Sequence, residues 1–137
     1  MIRAVRDRYD GEKRNPWNEI ECGSNYARSM ASFALLPIYS GFSFDMTEAY
    51  IGFAPLSGGG TYFWSVADSW GMVEITEKGC TLSLLGGRIS LASFGLQNFD
   101  KVREVLVDGK EISFVADQRR IWFDRITINA RLELILI

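Results

Sequence analysis

Seven segments with alternating apolar and polar residues follow the glycine run Gly58–Gly60, and they constrain the fold more than any other feature of the sequence. They read TYFWSV, WGMVEI, CTLSLLGG, RISLASF, VREVLVDGKEISFVA, RRIWFDRITIN and RLELILI. A period of two places alternate side chains on opposite faces of a strand. Seven strands in roughly 75 residues predict a compact antiparallel sheet or sandwich.

Turn residues separate these predicted strands. Asp108-Gly109 lies between VLV and KEISF and suits a two-residue type I′ hairpin turn. Gly86-Gly87 indicates another turn or a bulge. The last segment predicts one apolar face, opposite Arg131 and Glu133, formed by Leu132, Leu134 and Leu136.

One main helix is predicted upstream, over about residues 24–36. Ser24 or Asn25 can accept from the free amides of its first turn, and the body YARSMASFALL favours helix. Pro37 removes a backbone donor, so we expect the helix to stop or kink near Leu36. The predicted fold class is therefore α+β, with a helical segment over residues 1–56 and a β-rich region over residues 57–137, forming one compact unit.

Composition excludes several classes of function. The 137 residues include 15 basic and 17 acidic side chains, a balance that gives no electrostatic footprint for nucleic acid. The absence of histidine excludes imidazole general bases, Ser-His triads and His-ligated metals. Two cysteines, Cys22 and Cys80, make neither a zinc site nor a disulfide framework, although a single bridge between them stays open. We predict no metal and no cofactor.

The sequence also bears on location. The N-terminal stretch MIRAVRDRYDGEKR has no apolar core, so no secretory signal is expected there. No apolar run approaches the about 18 residues of a membrane-spanning helix. We therefore expect no membrane span and a cytoplasmic location.

Charged and aromatic residues cluster in NPWNEIECGSNYARSMASF, just ahead of the predicted helix. Glu19 and Glu21 would point to one side of an extended chain, as a glycosidase pair about 5–5.5 Å apart requires. Alternatively, one carboxylate pairs with Arg28, which needs a partner if it is buried, and the other caps the positive N-terminal end of the helix. Trp17 could stack on a sugar ring or pack in the core.

A longer stretch, RYDGEKRNPWNEIECGSNYARSMASFALLPIYSGFSFDM, is followed by IGFAP and by FWSV with a later WG. It resembles the C-terminal part of glycoside hydrolase family 116, which includes non-lysosomal glucosylceramidase (bile acid β-glucosidase) and microbial β-glucosidases. The resemblance is dense over Arg8–Phe53 and thinner through Trp70.

The resemblance implies a retaining β-glycosidase with an (α/α)₆ barrel, in which this motif borders the sugar pocket near the end of the barrel. It implies that Glu19 and Arg28 contact sugar hydroxyls, and we add Trp17 and Glu21 as further substrate-binding candidates. The family's nucleophile and acid/base lie upstream of the motif. We therefore predict no catalytic residue here and no hydrolysis by this chain alone.

Two hypotheses follow for the whole chain. In the first, it is the C-terminal portion of a β-glycosidase, binds a β-linked, glucoside-like sugar, and needs the rest of the barrel. A homodimer could instead cover the small-residue face formed by Ala27, Ala31 and Ala34. In the second, it is a self-standing, non-catalytic carbohydrate-binding or structural interaction module.

Overall fold

A computed structural model of the protein describes residues 3–4, 7, 33–96, 102–117 and 119–136. The chain divides into two units, Met1–Ala34 and Leu35–Ile137. In the first unit, the backbone N–H of Asp7 donates to the carbonyl of Arg3 at 2.8 Å, and their side chains form an exposed ion pair at 4.0 Å. The elements below belong to the second unit.

Helix α1 (Leu35–Ser40) is the one helix that the structure describes from end to end. The helical backbone is interrupted at Ala34, between Phe33 and Leu35, close to the break near Leu36 that Pro37 predicts, and α1 then continues past Pro37. Pro37 lies in the first turn, where a backbone N–H has no helical partner to lose. The helix ends instead at Gly41, whose φ is 59°. The N–H of Phe42 donates to the carbonyl of Pro37 at 3.2 Å, as in a Schellman cap. Residues 24–32 of the predicted helix lie outside the described residues.

Eleven strands follow within the part of the chain that the structure describes. They are β1 (Ser43–Asp45), β2 (Tyr50–Phe53), β3 (Gly60–Val66), β4 (Ser69–Thr76), β5 (Gly79–Gly86), β6 (Ile89–Leu96), β7 (Val102–Val107), β8 (Lys110–Glu111), β9 (Val115–Ala116), β10 (Arg120–Ile128) and β11 (Arg131–Leu136). Sheet A has the order β1-β2-β6-β10-β9, and sheet B has the order β3-β4-β5-β11-β7-β8. Every described pair is antiparallel except β2 with β6, which is parallel.

These two sheets confirm the predicted β-rich, mainly antiparallel part of the fold. Strands β7 and β8 meet at Asp108-Gly109, where both φ angles are positive (50° and 79°), as a type I′ turn requires. Strands β1 and β2 were not predicted, and residues 43–53 of the predicted helical segment belong to sheet A. The (α/α)₆-barrel context stays a prediction.

The inner faces of the two sheets enclose one hydrophobic core. Alternation along β4 turns Val73 and Ile75 inward, and Leu132 and Leu134 share the buried face of β11 as predicted. Trp64 of β3 is the largest fully buried side chain among the described residues. Sheet A contributes six fully or almost fully buried side chains from its three central strands: Ile51, Phe53, Leu91, Phe94, Ile121 and Ile128. The outer face of each sheet lies outside this core.

Candidate functional site

The predicted sugar-binding residues fall outside the residues that the structure describes: Trp17, Glu19, Glu21 and Arg28. Their mutual distances and their sugar contacts stay predictions. The structure instead brings together a different set of residues, on the outer face of sheet A.

The register of three adjacent strands builds this second set. One row across β2, β6 and β10 consists of Tyr50, Ser93 and Trp122. The next row consists of Gly52, Gly95 and Arg120. Residues Ile51, Phe94 and Ile121 lie between these rows in sequence and face the core, so the two rows share the outer face. We call the side chains of Tyr50, Ser93, Arg120 and Trp122 the Tyr50–Trp122 surface.

Two glycines let the Tyr50 ring lie across the sheet. A Cβ atom at Gly52 or at Gly95 would collide with the Tyr50 hydroxyl. With hydrogen in those positions, the ring covers the neighbouring row, and its hydroxyl comes within 3.4 Å of Ser43 Oγ. An open groove of about 270 Å³ lies beside the ring and is lined in part by Gly95 and Arg119. The ring thus forms one wall of a shallow groove.

Arg120 connects the two aromatic rings. Its guanidinium carbon lies 4.2 Å from the centroid of the Tyr50 ring and 5.7 Å from that of Trp122, within cation–π range. Its Nη2 donates to Ser93 Oγ at 2.7 Å, and its Nε is buried without a hydrogen-bond partner. Within the described ranges, no carboxylate forms an ion pair with Arg120. Apart from the buried Nε, the guanidinium therefore retains Nη donors that no described residue uses.

Asp45 lies close enough to Arg120 for the arginine charge to affect its pKa, but the hydrogen bonds that Asp45 accepts come from its own turn. Asp45 Oδ1 accepts from the Thr47 hydroxyl at 2.6 Å, the Thr47 N–H at 2.9 Å and the Glu48 N–H at 3.3 Å. The bond from the Thr47 hydroxyl, followed by the two backbone bonds, lowers the pKa of Asp45, and Arg120 contributes less. Asp45 is thus ionised at neutral pH without bonding Arg120.

A bulge in β6 aims Ser93 at this surface. The N–H groups of Ala92 and Ser93 both donate to the carbonyl of Ala49, at 2.8 Å and 3.3 Å, and Ala49 has a φ of 52°. On the facing strand, the register shifts between Trp122 and Ile126. Bulges commonly re-aim a side chain. Because of this irregularity, the alternation of core-facing and outward-facing residues shifts along both strands next to the Tyr50–Trp122 surface.

The described residues contain neither a metal-binding cluster nor an activated thiol. No cluster of His, Cys, Asp and Glu among them could hold a metal ion. Burial raises the pKa of the Cys80 thiol to about 12, so its reactive thiolate is scarce at neutral pH. Cys22 lies outside the described ranges. No helix in the described part is long and apolar enough to cross a membrane.

Sequence reasoning did not single out Tyr50, Arg120 or Trp122, although two signals were present. In RRIWFD, the spacing of Arg120 and Trp122 places them on one face of a strand, and in YIGF a glycine follows the tyrosine by the same spacing. Neither signal reveals which strands are neighbours. No protein-family model matches the chain, and no curated protein matches it.

Proposed function

We propose that this chain is the C-terminal portion of a retaining β-glycosidase of the β-glucosidase or glucosylceramidase type. It binds a β-linked sugar and does not hydrolyse glycosides alone. The observation that carries the proposal is the motif RNPWNEIECGSNYARSMAS, in which Glu19 and Arg28 are nine residues apart. A motif of this length is far more specific than a short pattern.

The chemistry of the motif suits a sugar. The Glu19 carboxylate can accept hydrogen bonds from hydroxyls, and the Arg28 guanidinium offers a rigid fork of donors. Trp17 supplies an apolar face for a pyranose ring, and Glu21 supplies a further acceptor. These contacts contribute to catalysis if they strengthen at the oxocarbenium-like transition state. The nucleophile and the acid/base would come from the rest of the barrel, which is the partner we propose.

The alternative function is a self-standing carbohydrate-binding or structural module. One observation favours it: the described core is formed entirely by residues of the unit Leu35–Ile137. A unit with its own core does not depend on a barrel for its stability.

Calorimetric titration with a glucose-configured iminosugar tests the first function. We expect saturable binding to the wild type and a loss of about tenfold or more in Glu19→Ala, since a hydrogen bond to a charged group contributes about 1.5–3 kcal/mol. Glu111→Ala, at an exposed position of β8, is the control and should bind as the wild type does. Absence of binding in all three proteins would contradict a sugar site at Glu19. Hydrolysis of an aryl β-glucoside by the chain alone would contradict the non-catalytic assignment.

A further inference from the structure

We propose that the Tyr50–Trp122 surface is a carbohydrate-binding site of its own, selective for oligosaccharides whose pyranose rings carry an anionic group, either a carboxylate or a sulfate ester. This site uses none of the residues of the Glu19 motif. The chain would then bind a sugar at a second site, whether or not the Glu19 motif also binds one.

The aromatic rings provide the first support. Trp122 is 39% exposed although it lies in β10, a central strand of sheet A. The Tyr50 ring lies over glycine backbone and borders the groove. An aromatic ring with a polar tip offers an apolar face and a hydrogen-bonding edge together. A pyranose has the same division, with C–H groups on its faces and hydroxyls at its rim.

Arg120 provides the selectivity for charge. It stacks on Tyr50, donates one bond to Ser93, and forms no ion pair with a described acid. Stacking holds the planar fork in one orientation, so little side-chain freedom is lost when a ligand binds. A carboxylate or sulfate is the acceptor that such a fork binds most strongly. A neutral sugar would leave this charge with only the nearby Asp45 carboxylate, which attracts it without bonding it.

The surroundings favour a sugar over a peptide. The two aromatic residues lie on strands with neighbours on both sides: Tyr50 pairs with Asp45 and Ser93, and Trp122 pairs with Ser93 and Val115. A peptide strand therefore cannot add beside these rings. Hydroxyl groups are present on this side of the sheet: Ser43 Oγ lies near the Tyr50 hydroxyl, and farther along β6 and β10 Ser90 Oγ lies 2.8 Å from Thr127 Oγ1. Such hydroxyls suit a ligand that is itself rich in hydroxyls better than an apolar helix.

The outer face of sheet B supplies a matched control. Phe63 and Trp70 are exposed there by 42% and 45%, and their ring centroids are 6.4 Å apart. No arginine of the described chain stacks on either ring. This pair therefore has the aromatic component of the proposed site without the cationic one.

The test is calorimetric titration of the full chain, at low ionic strength, with three oligosaccharides of equal length: an oligogalacturonate, a sulfated oligosaccharide and a neutral one. We expect at least one anionic ligand to bind about tenfold or more tightly than the neutral one. Trp122→Ala should weaken that binding about tenfold or more, whereas Trp70→Ala and Glu19→Ala should leave it unchanged. Arg120→Gln should remove the preference for the anionic ligand, and Arg120→Lys should restore part of it.

Wild-type protein gives a second measurement that does not depend on the stability of any variant. The indole N–H resonance of Trp122 should shift on titration with the anionic oligosaccharide, while that of Trp70 should stay in place. The proposal is overturned if no anionic ligand binds, if neutral and anionic ligands bind equally, or if Trp70→Ala causes the same loss as Trp122→Ala. Loss of iminosugar binding in Glu19→Ala bears only on the Glu19 motif, so the two proposals fail separately.

Discussion

Glycine serves two different purposes in the sheets, and the difference appears at single residues. A Cβ atom at Gly95 would meet the far end of the Tyr50 side chain, which can swing away. A Cβ atom at Gly71 would meet the carbonyl oxygen of Ser83 on the neighbouring strand, which cannot move alone. The first glycine shapes a surface and the second permits close strand pairing.

Paired alanine substitutions separate these purposes. We expect Gly95→Ala to lower the free energy of unfolding by less than about 1 kcal/mol and to displace the Tyr50 ring, weakening oligosaccharide binding. Gly71→Ala should cost about 1–3 kcal/mol because the strands must separate. Chemical denaturation and ligand titration of both variants measure the effects. Equal losses of stability would contradict the assignment.

Asp108 joins two turns by its carboxylate. It accepts from the backbone N–H groups of Asn129 (3.0 Å), Ala130 (2.8 Å) and Arg131 (2.9 Å), and from Asn129 Nδ2 (3.2 Å). Partial desolvation raises the pKa of Asp108, but the bonds from Arg131, Asn129 and Ala130 outweigh it and lower the pKa to about 2. The ionised carboxylate therefore holds the β7–β8 turn against the β10–β11 turn.

This linkage predicts how stability depends on pH. The pKa is lower in the folded state than the ordinary value of about 3.9, so the carboxylate stabilises the fold above about pH 4. That contribution should disappear as the pH falls towards 2. Asp108→Asn keeps a residue that tolerates positive φ but removes the charge. We expect it to cost about 1 kcal/mol at neutral pH, as loss of a charged cap does, and to flatten the acid limb of the stability curve. Asp124→Asn, at an exposed position, is the control.

At the scale of elements, β2 is a strand that the sequence pattern did not predict. It has four residues, three of them buried, and pairs in parallel with β6. We expect Ile51→Ala in β2 to cost about 2–5 kcal/mol, because Ile51 is fully buried. Val115→Ala in β9, where the side chain is 71% exposed, should change stability by less than about 0.5 kcal/mol. A mild effect of Ile51→Ala in denaturant unfolding would show that β2 is not part of the core.

Local patterns predicted most of the strands but not which strands are neighbours in a sheet. Alternation and turn chemistry located the segments of β3 to β11, because period two and Asp-Gly turns act within a few residues. Strand β2 was missed because it has only four residues, YIGF, and no polar side chain among them makes the alternation visible. The row formed by Tyr50, Ser93 and Trp122 depends on two pairings, between residues 43 and 29 positions apart in sequence, which no local pattern contains. Pro37 did predict an interruption of the helix, because its missing N–H acts on the preceding turn, but the new helix that starts at Leu35 was not predicted.

At the scale of the whole molecule, the core and the Tyr50–Trp122 surface lie within one unit. We expect the fragment Leu35–Ile137 to unfold in a single cooperative transition and to keep the anionic oligosaccharide binding of the full chain, because all described core residues belong to it. Thermal unfolding followed by near-ultraviolet circular dichroism, with calorimetric titration, measures both properties. A fragment without fixed aromatic signals would show that residues 1–34 are needed for packing.

The order of the strands also governs when the protein can fold during synthesis. Strand β10 lies between β6 and β9, and strand β11 lies between β5 and β7, so each sheet receives one strand between two strands that precede it in sequence. When the earlier strands emerge from the ribosome, β10 and β11 are still missing from their places in the two sheets. We expect the apolar faces of the nascent polypeptide to stay uncovered until Leu136 has left the exit tunnel. Such a polypeptide should depend on chaperones more than a protein whose strands pair in the order of their synthesis.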